Sequence, residues 1–392
     1  MVKDISRRRL VEMISSQFDV ASDWDFSRLG IKETQYLTHF FHHWTAKYIP
    51  QIPARIIEQY SEAGEAVLDP FMGSGTTLVE AAIRLRPAYG TDINPLAYKI
   101  AKAKTSRIDA TSIAELLLIL RKMSVDEAVP NKPRLLGNAV EKEAPNLFPG
   151  SEKWFRDDVS ISIKWILSCI KTLDENTRNF VEVGLSDLLK GMSNARMDSI
   201  IPTLPAEAEY IDKKHYNRVV NNLTRKVNVY GRLFSQLDRM HRALCDYHMR
   251  AGDTRCVPFL ADARRLSDVV PKVRLAVTSP PYWDAQNYQK LHWVSFQVLG
   301  LSEPGKSEIG RKKNDYLHDM RLVVKELVQV LDGVFAIVIG ESKRGTHEAV
   351  RDICVEEGMK PIDAILRNIT MHAFFAKGVK REFIYIFRNK LA

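Results

Sequence analysis

Cysteine is scarce in this chain. Cys169, Cys245, Cys256 and Cys354 are the only four in 392 residues, and no two form a Cys-x-x-Cys pair. That scatter excludes a zinc ribbon and a disulfide framework and suits free thiols in a reducing cytosol. Histidine does not make good the lack. His39, His42 and His43 lie beside Trp44 without an acidic or thiolate partner at ligand spacing, so no metal is expected. Long apolar runs are missing too. None approaches the roughly 18 residues of a membrane span, and the stretch Met1 to Arg9 lacks the apolar centre of a secretion signal. There is no internal repeat and no low-complexity tract. The expectation is a cytoplasmic globular protein that uses neither membrane nor metal.

The chain does have length and positive charge. Its 392 residues can bury a large core and carry an insertion or second domain. Lysine and arginine exceed the acids to leave a net charge of +9, which suits a polyanion. The excess gathers at Lys213, Lys214, Arg218, Arg225 and Lys226 and continues to Arg232, Arg239 and Arg242, with Tyr210, Tyr216 and Tyr230 interleaved. A basic run is usually a solvated helix face. Phosphate contact is the sharper reading, because this run stands between the two motifs described next.

The first motif is Asp69-Pro70-Phe71-Met72-Gly73-Ser74-Gly75. The apolar run Ala66-Val67-Leu68 precedes it, and Thr76-Thr77-Leu78-Val79-Glu80-Ala81-Ala82 follows. The pattern reads as strand, glycine turn, helix. Gly73 and Gly75 permit a tight turn and close approach of the backbone to a ligand. The loop has no Gly-Lys-Ser/Thr ending, which disfavours nucleoside triphosphate hydrolysis. A second strand, Ala88 to Thr91, ends in Asp92, about 20 residues beyond the loop, where a carboxylate can accept both hydroxyls of a ribose. The alternative is a helix-capping role for Asp92, since Asn94-Pro95 opens the next helix.

The second motif is Ser279-Pro280-Pro281-Tyr282, which ends the strand Leu275 to Thr278. An exocyclic amine on a nucleobase is a poor nucleophile, because its lone pair is delocalised into the ring. Acceptors for both amine hydrogens favour a tetrahedral nitrogen, and the Ser279 side chain with the Pro280 carbonyl supplies two. The prolines contribute rigidity without a competing N–H. Tyr282 offers a face on which an extruded base can stack. The bland alternative is a rigid turn that merely ends a strand.

Together the motifs resemble the S-adenosylmethionine-dependent DNA amino-methyltransferases of the N4-cytosine/N6-adenine family. The resemblance covers residues 47–104 and 256–389. It implies a Rossmann-like α/β fold: a mostly parallel sheet of seven strands, the last hairpin antiparallel, with a mainly helical insertion. It implies S-adenosylmethionine as cofactor, with Asp69, Pro70, Phe71, Gly73, Gly75 and Thr76 beside its methionine part and Asp92, Ile93 and Asn94 around ribose and adenine. The segment Lys47 to Pro53 resembles one that packs over the cofactor in this family, through Tyr48 and Pro50. Its two prolines read equally well as an extended linker. Asp262-Ala263 resembles the third-strand motif whose acid approaches the adenine amine, or simply starts a loop.

Ser-Pro-Pro-Tyr is the form typical of cytosine N4 enzymes, and Asp-Pro-Pro-Tyr of adenine N6 enzymes. The order of motifs, glycine loop first, is the alpha class, whose members are commonly adenine enzymes. The leading expectation is a site-specific DNA methyltransferase acting on N4 of a flipped cytosine. Double-stranded DNA would be its substrate and a cognate restriction endonuclease its partner, in a prokaryotic cytoplasm at the nucleoid. The rivals are adenine N6 methylation, an RNA base methyltransferase, and a nucleic-acid-binding module without catalysis. The expected organisation is an N-terminal arm over 1–46, the cofactor half over 47–106, a helical target-recognition insertion over 107–252, and the catalytic half over 253–392.

Overall fold

A computed structural model describes residues 22–26, 28–45, 47–127, 147–196, 199–204, 227–281, 288–303, 309–310, 312–341, 345–369 and 381–390. Seven strands form one sheet: β1 (Val67–Asp69), β2 (Ala88–Asp92), β3 (Cys256–Leu260), β4 (Val273–Thr278), β5 (Leu331–Gly340), β6 (Met359–Asn368) and β7 (Arg381–Asn389). Their spatial order is β3-β2-β1-β4-β5-β7-β6. The first five are parallel; β7 runs antiparallel to both β5 and β6. This is the expected Rossmann-like sheet with its closing antiparallel pair.

The strands alternate their side chains between two cores, as a pleated strand must. In β5, Val334, Ala336 and Val338 face a core that includes Ile52, Ile56 and Ile57 of helix α1 (Gln51–Tyr60) and Leu78 of helix α2 (Thr76–Ala82). Phe335, Ile337 and Ile339 face the other core, with Tyr316, Val323 and Leu327 of one helix and Val350 and Ile353 of another. A strand buried on both faces reads as an unbroken apolar run, which is why β5 is so plain in the sequence.

Helix α1 departs from expectation. The two prolines of the Lys47 to Pro53 segment do not mark an extended linker. Pro50 precedes the helix and Pro53 lies in its first turn. Proline costs little there, because the first turn leaves its N–H groups without helical partners anyway.

The middle of the chain is helical among the described residues. After α3 (Pro95–Thr105) come α4 (Ala110–Glu127), α5 (Asp157–Cys169), α6 (Glu175–Met192) and α7 (Val229–Ala251). Asn94, Asp174 and Asn228 cap α3, α6 and α7 with side-chain oxygens. These helices share one apolar core with α2 and with α8 (Trp293–Leu299): Val79, Ile100, Ile113, Ile163, Phe180, Leu233 and Phe296 all belong to it. The helical middle therefore packs against α2, α3 and α8. No helix among the described residues is long and apolar enough to cross a membrane.

Candidate active site

In open α/β sheets, ligands bind outside the carboxyl ends of the strands, where the strand order reverses. Here the order reverses between β1 and β4, which pair through Val67–Leu275 and Leu68–Ala276. The glycine loop leaves β1 and the Ser279 turn leaves β4. The topology therefore brings both motifs to one crevice.

Asp69 holds that crevice together. It is buried, and its carboxylate accepts four hydrogen bonds. Oδ1 takes Thr278 Oγ1 at 2.6 Å and Phe71 N at 3.1 Å; Oδ2 takes Thr77 Oγ1 at 2.5 Å and the Tyr48 hydroxyl at 3.1 Å. A carboxylate offers about four lone-pair positions, so all are used. Burial pushes the Asp69 carboxyl up, and these four donors oppose that shift. Asp69 thus positions the loop rather than presenting a free acceptor to a ligand. Tyr48 touches Asp69 and Thr77 and belongs to the same knot.

The loop turns through left-handed backbone at Gly73 (φ 48°) and Gly75 (φ 76°). At Gly75 a Cβ would come within 2.9 Å of Ala101 Cβ. Glycine is required there for both reasons. Asp92 ties the loop to β2: its Oδ2 accepts from Gly73 N at 3.0 Å and its Oδ1 from Asn94 N at 2.8 Å. Burial pushes the Asp92 carboxyl up to about 6, with the Asp69 charge adding to the effect. Asn94, not Asp92, caps α3, accepting from Leu96 N and Ala97 N. The capping alternative for Asp92 is thus met by its neighbour.

These residues fit a nucleoside cofactor. Asp92 spends one hydrogen bond per oxygen and keeps lone pairs for hydroxyl donors. Ser74 Oγ and Thr76 Oγ1, in and just after the loop, are buried without a hydrogen-bond partner among the described residues. Pro70 is buried, while Phe71 and Ile93 are half-buried beside the loop.

Asp262 behaves otherwise. It caps the short helix Ala263–Asp268, and the Arg264 guanidinium grips both its oxygens, at 2.6 Å from Nη2 to Oδ2. Arg264 also reaches Asp319 at 2.9 Å. The cap and the clamp favour the loop-starting alternative for Asp262, and Ala263 beside it is buried in the core.

Ser279 is half-buried, Pro280 buried and Pro281 half-buried at the mouth of β4. Tyr282 lies outside the described residues, as do Lys213, Lys214, Arg218, Arg225 and Lys226. Three of the four described arginines of α7 are engaged within the chain. Arg232 donates to the Gly191 carbonyl, Arg239 lies over the Phe40 ring, and Arg242 pairs with Asp238.

Sequence reasoning missed an aromatic group at this site. Trp44 stacks on His292 (ring centroids 4.8 Å apart, planes 2° from parallel) and on Tyr288 (5.7 Å, 6°). The indole also abuts the glycine loop: a Cβ at Gly73 would lie 3.3 Å from Trp44 Nε1. Burial pushes the Tyr288 phenol up to about 12, and the Asp92 charge adds to it, placing the phenol within electrostatic reach of that carboxylate. A further string, Gly300 to Ser307, has the spacing of a phosphate loop. Its context is wrong, since Gly300 closes a helix and follows no strand.

Residues 7–103 match a family profile described as DNA methylase, of the N6/N4 type. A type II methyltransferase of Kocuria varians, M.MvaI, is 27% identical over 319 residues, which span 76% of this chain and 66% of that relative. A second, M.MjaII of Methanocaldococcus jannaschii, is 22% identical over 422 residues, spanning 87% of this chain and 80% of the relative. Together these matches support an N4/N6 amino-methyltransferase. The family in turn supports S-adenosylmethionine as cofactor. Among solved structures, an rRNA methyltransferase of Streptomyces viridochromogenes matches with a TM-score of 0.36 and 10% identity over 92% of this chain and 94% of its own. That likeness is too distant to bear on what this chain acts on.

Proposed function

We propose that this chain methylates DNA at a specific site, moving a methyl group from S-adenosylmethionine to the exocyclic N4 of a flipped cytosine. The observation that carries the reading is the 2.6 Å bond from Thr278 to Asp69, which holds the start of the Ser279 turn against the cofactor loop. Bound S-adenosylmethionine supplies an electrophilic methyl. The chain's own residues do the rest. Asp92 orients the nucleoside part through its ribose hydroxyls, and Gly73, Ser74, Gly75 and Thr76 line the neighbouring loop. Ser279 Oγ and the Pro280 carbonyl accept the two amine hydrogens, so that the nitrogen lone pair points at the methyl. Tyr282 stacks on the extruded base. Alignment supplies much of the rate, and no covalent intermediate is required.

Ser279 favours cytosine N4. A second reading, adenine N6, is favoured by the order of the motifs, glycine loop before turn. The relatives' type II names favour a role beside a restriction endonuclease, and the basic run 213–226 is the candidate phosphate-contacting stretch. The deciding experiment is nucleoside mass spectrometry of DNA from a host expressing the protein. N4-methylcytosine is expected. N6-methyladenine would move the assignment to the second reading, and neither base would overturn DNA methylation.

A further inference from the structure

We propose that Trp44 is a positioning residue for methyl transfer, a flat strut that fixes the chain leaving the Ser279 turn against the glycine loop. The proposal rests on the methyltransferase reading and deepens it.

The geometry has two ends. At one end, Thr278, immediately before Ser279, is bonded to Asp69. At the other, the chain re-enters the described structure at Tyr288, the start of the short helix Tyr288–Leu291. Tyr288 and His292 stand one helical turn apart, and both rings lie parallel to the Trp44 indole. An edge of that same indole meets Gly73. Both ends of the segment that carries the catalytic turn are therefore anchored to one loop, the first through a carboxylate and the second through Trp44.

The strut is itself held. His42 Nε2 shares a hydrogen bond with Ser186 Oγ at 3.0 Å, and His43 N donates to Asp187 Oδ1 at 2.7 Å, pinning this stretch to α6. Lys47 Nζ donates to the His39 carbonyl at 2.8 Å, and Tyr48 continues to Asp69. A residue that only filled space here could be any bulky apolar side chain. The observed contacts need a flat ring, since two rings lie within 6° of parallel to it. Methyl transfer needs the donor carbon and the acceptor nitrogen in line, and a misplacement of about 1 Å can cost about a hundredfold in rate.

The test uses the purified full chain with Trp44→Leu and Trp44→Phe. In Trp44→Leu, kcat should fall about a hundredfold, while the KM for S-adenosylmethionine changes by less than about threefold. Trp44→Phe, which keeps a flat ring, should recover most of kcat. A second readout does not depend on turnover. S-adenosylhomocysteine should change the tryptophan emission of the wild type, and Trp44→Phe should lose that change while still binding the ligand by calorimetry. If Trp44→Leu does not fold, the emission arm decides alone. Wild-type kcat in Trp44→Leu, no recovery by Phe, or an emission change that survives in Trp44→Phe would each overturn the strut. Failure of the wild type to bind S-adenosylhomocysteine would instead overturn the methyltransferase reading.

Discussion

Thr278 Oγ1 donates to Asp69 Oδ1 at 2.6 Å, joining the last residue of β4 to the last residue of β1. With Phe71 N, Thr77 and Tyr48 on the same carboxylate, one side chain sets the distance between two motifs that lie far apart in the sequence. Asparagine keeps the shape but offers a single acceptor oxygen. Asp69→Asn should therefore leave buried donors unmatched and cost about 1–3 kcal/mol. Thr278→Val removes only one of the bonds and should cost about 1 kcal/mol, with a fall in turnover. Urea denaturation and steady-state kinetics on the two variants check this. Unchanged midpoints would show that Asp69 is not the knot described.

Gly75 and Gly64 form a matched pair. Both have positive φ, 76° and 87°, so alanine at either costs about 1–2 kcal/mol of backbone strain. Only at Gly75 would the new Cβ collide, with Ala101; at Gly64 nothing lies within 4 Å. Gly75→Ala should lose more stability than Gly64→Ala and should also weaken S-adenosylmethionine binding. Thermal melts and calorimetry separate the two, and equal effects would remove the loop's steric argument.

The parts of this fold that were legible are those set by local periodicity and by turn chemistry. β5 shows as an apolar run because both its faces are buried, and the loop shows because Gly73 and Gly75 must adopt positive φ. Helix α1 was missed because Pro50 and Pro53 suggest extension, yet both sit where a helix start tolerates proline. At Asp262 the sequence leaves two readings open, and the contact that favours a loop-starting role comes from Arg264, two residues on, whose grip on the carboxylate has no sequence signature. The stacking of Trp44 on Tyr288 and His292 had no local signal. Trp44 is distant from both in sequence, and an aromatic contact across that distance leaves no local pattern.

Ser279→Ala removes one acceptor for the target amine and leaves the Pro280 carbonyl. Turnover should fall roughly ten- to a thousandfold, as when one transition-state hydrogen-bond partner is lost. Cofactor affinity should hold, because the glycine loop is untouched. Radiolabel transfer to DNA, with calorimetry alongside, measures both. Wild-type transfer by Ser279→Ala would remove the amine-acceptor role.

Neutralising Lys213, Lys214, Arg218, Arg225 and Lys226 should weaken DNA binding and flatten its salt dependence. Each lost phosphate contact should lower the slope of log affinity against log salt by about 0.9. Binding isotherms between low and physiological salt supply the slope. If wild type and variant give the same slope, the run is a solvated face.

Asp92 gives the site a pH dependence whose sign can be worked out. Burial raises its carboxyl from the ordinary 3.8 to about 6, so the folded protein without ligand favours the protonated acid only below about pH 6. For stability, the favourable contribution of this group is fully present below about 3.8 and is lost as the pH rises through about 6. Cofactor binding should run the opposite way. Ribose hydroxyls donate hydrogen bonds, and a carboxylate accepts them better than a carboxylic acid. The Kd for S-adenosylmethionine should therefore fall between pH 5 and pH 7, with its inflection near 6. Asp92→Asn stays neutral throughout. It should bind more weakly at pH 7, by about 1.5–3 kcal/mol for the loss of charge-assisted bonds, and should lose the inflection. Calorimetry across this pH range on both proteins makes the comparison. A wild-type Kd that is flat from pH 5 to pH 7, or an inflection that persists in Asp92→Asn, would take the ribose away from Asp92.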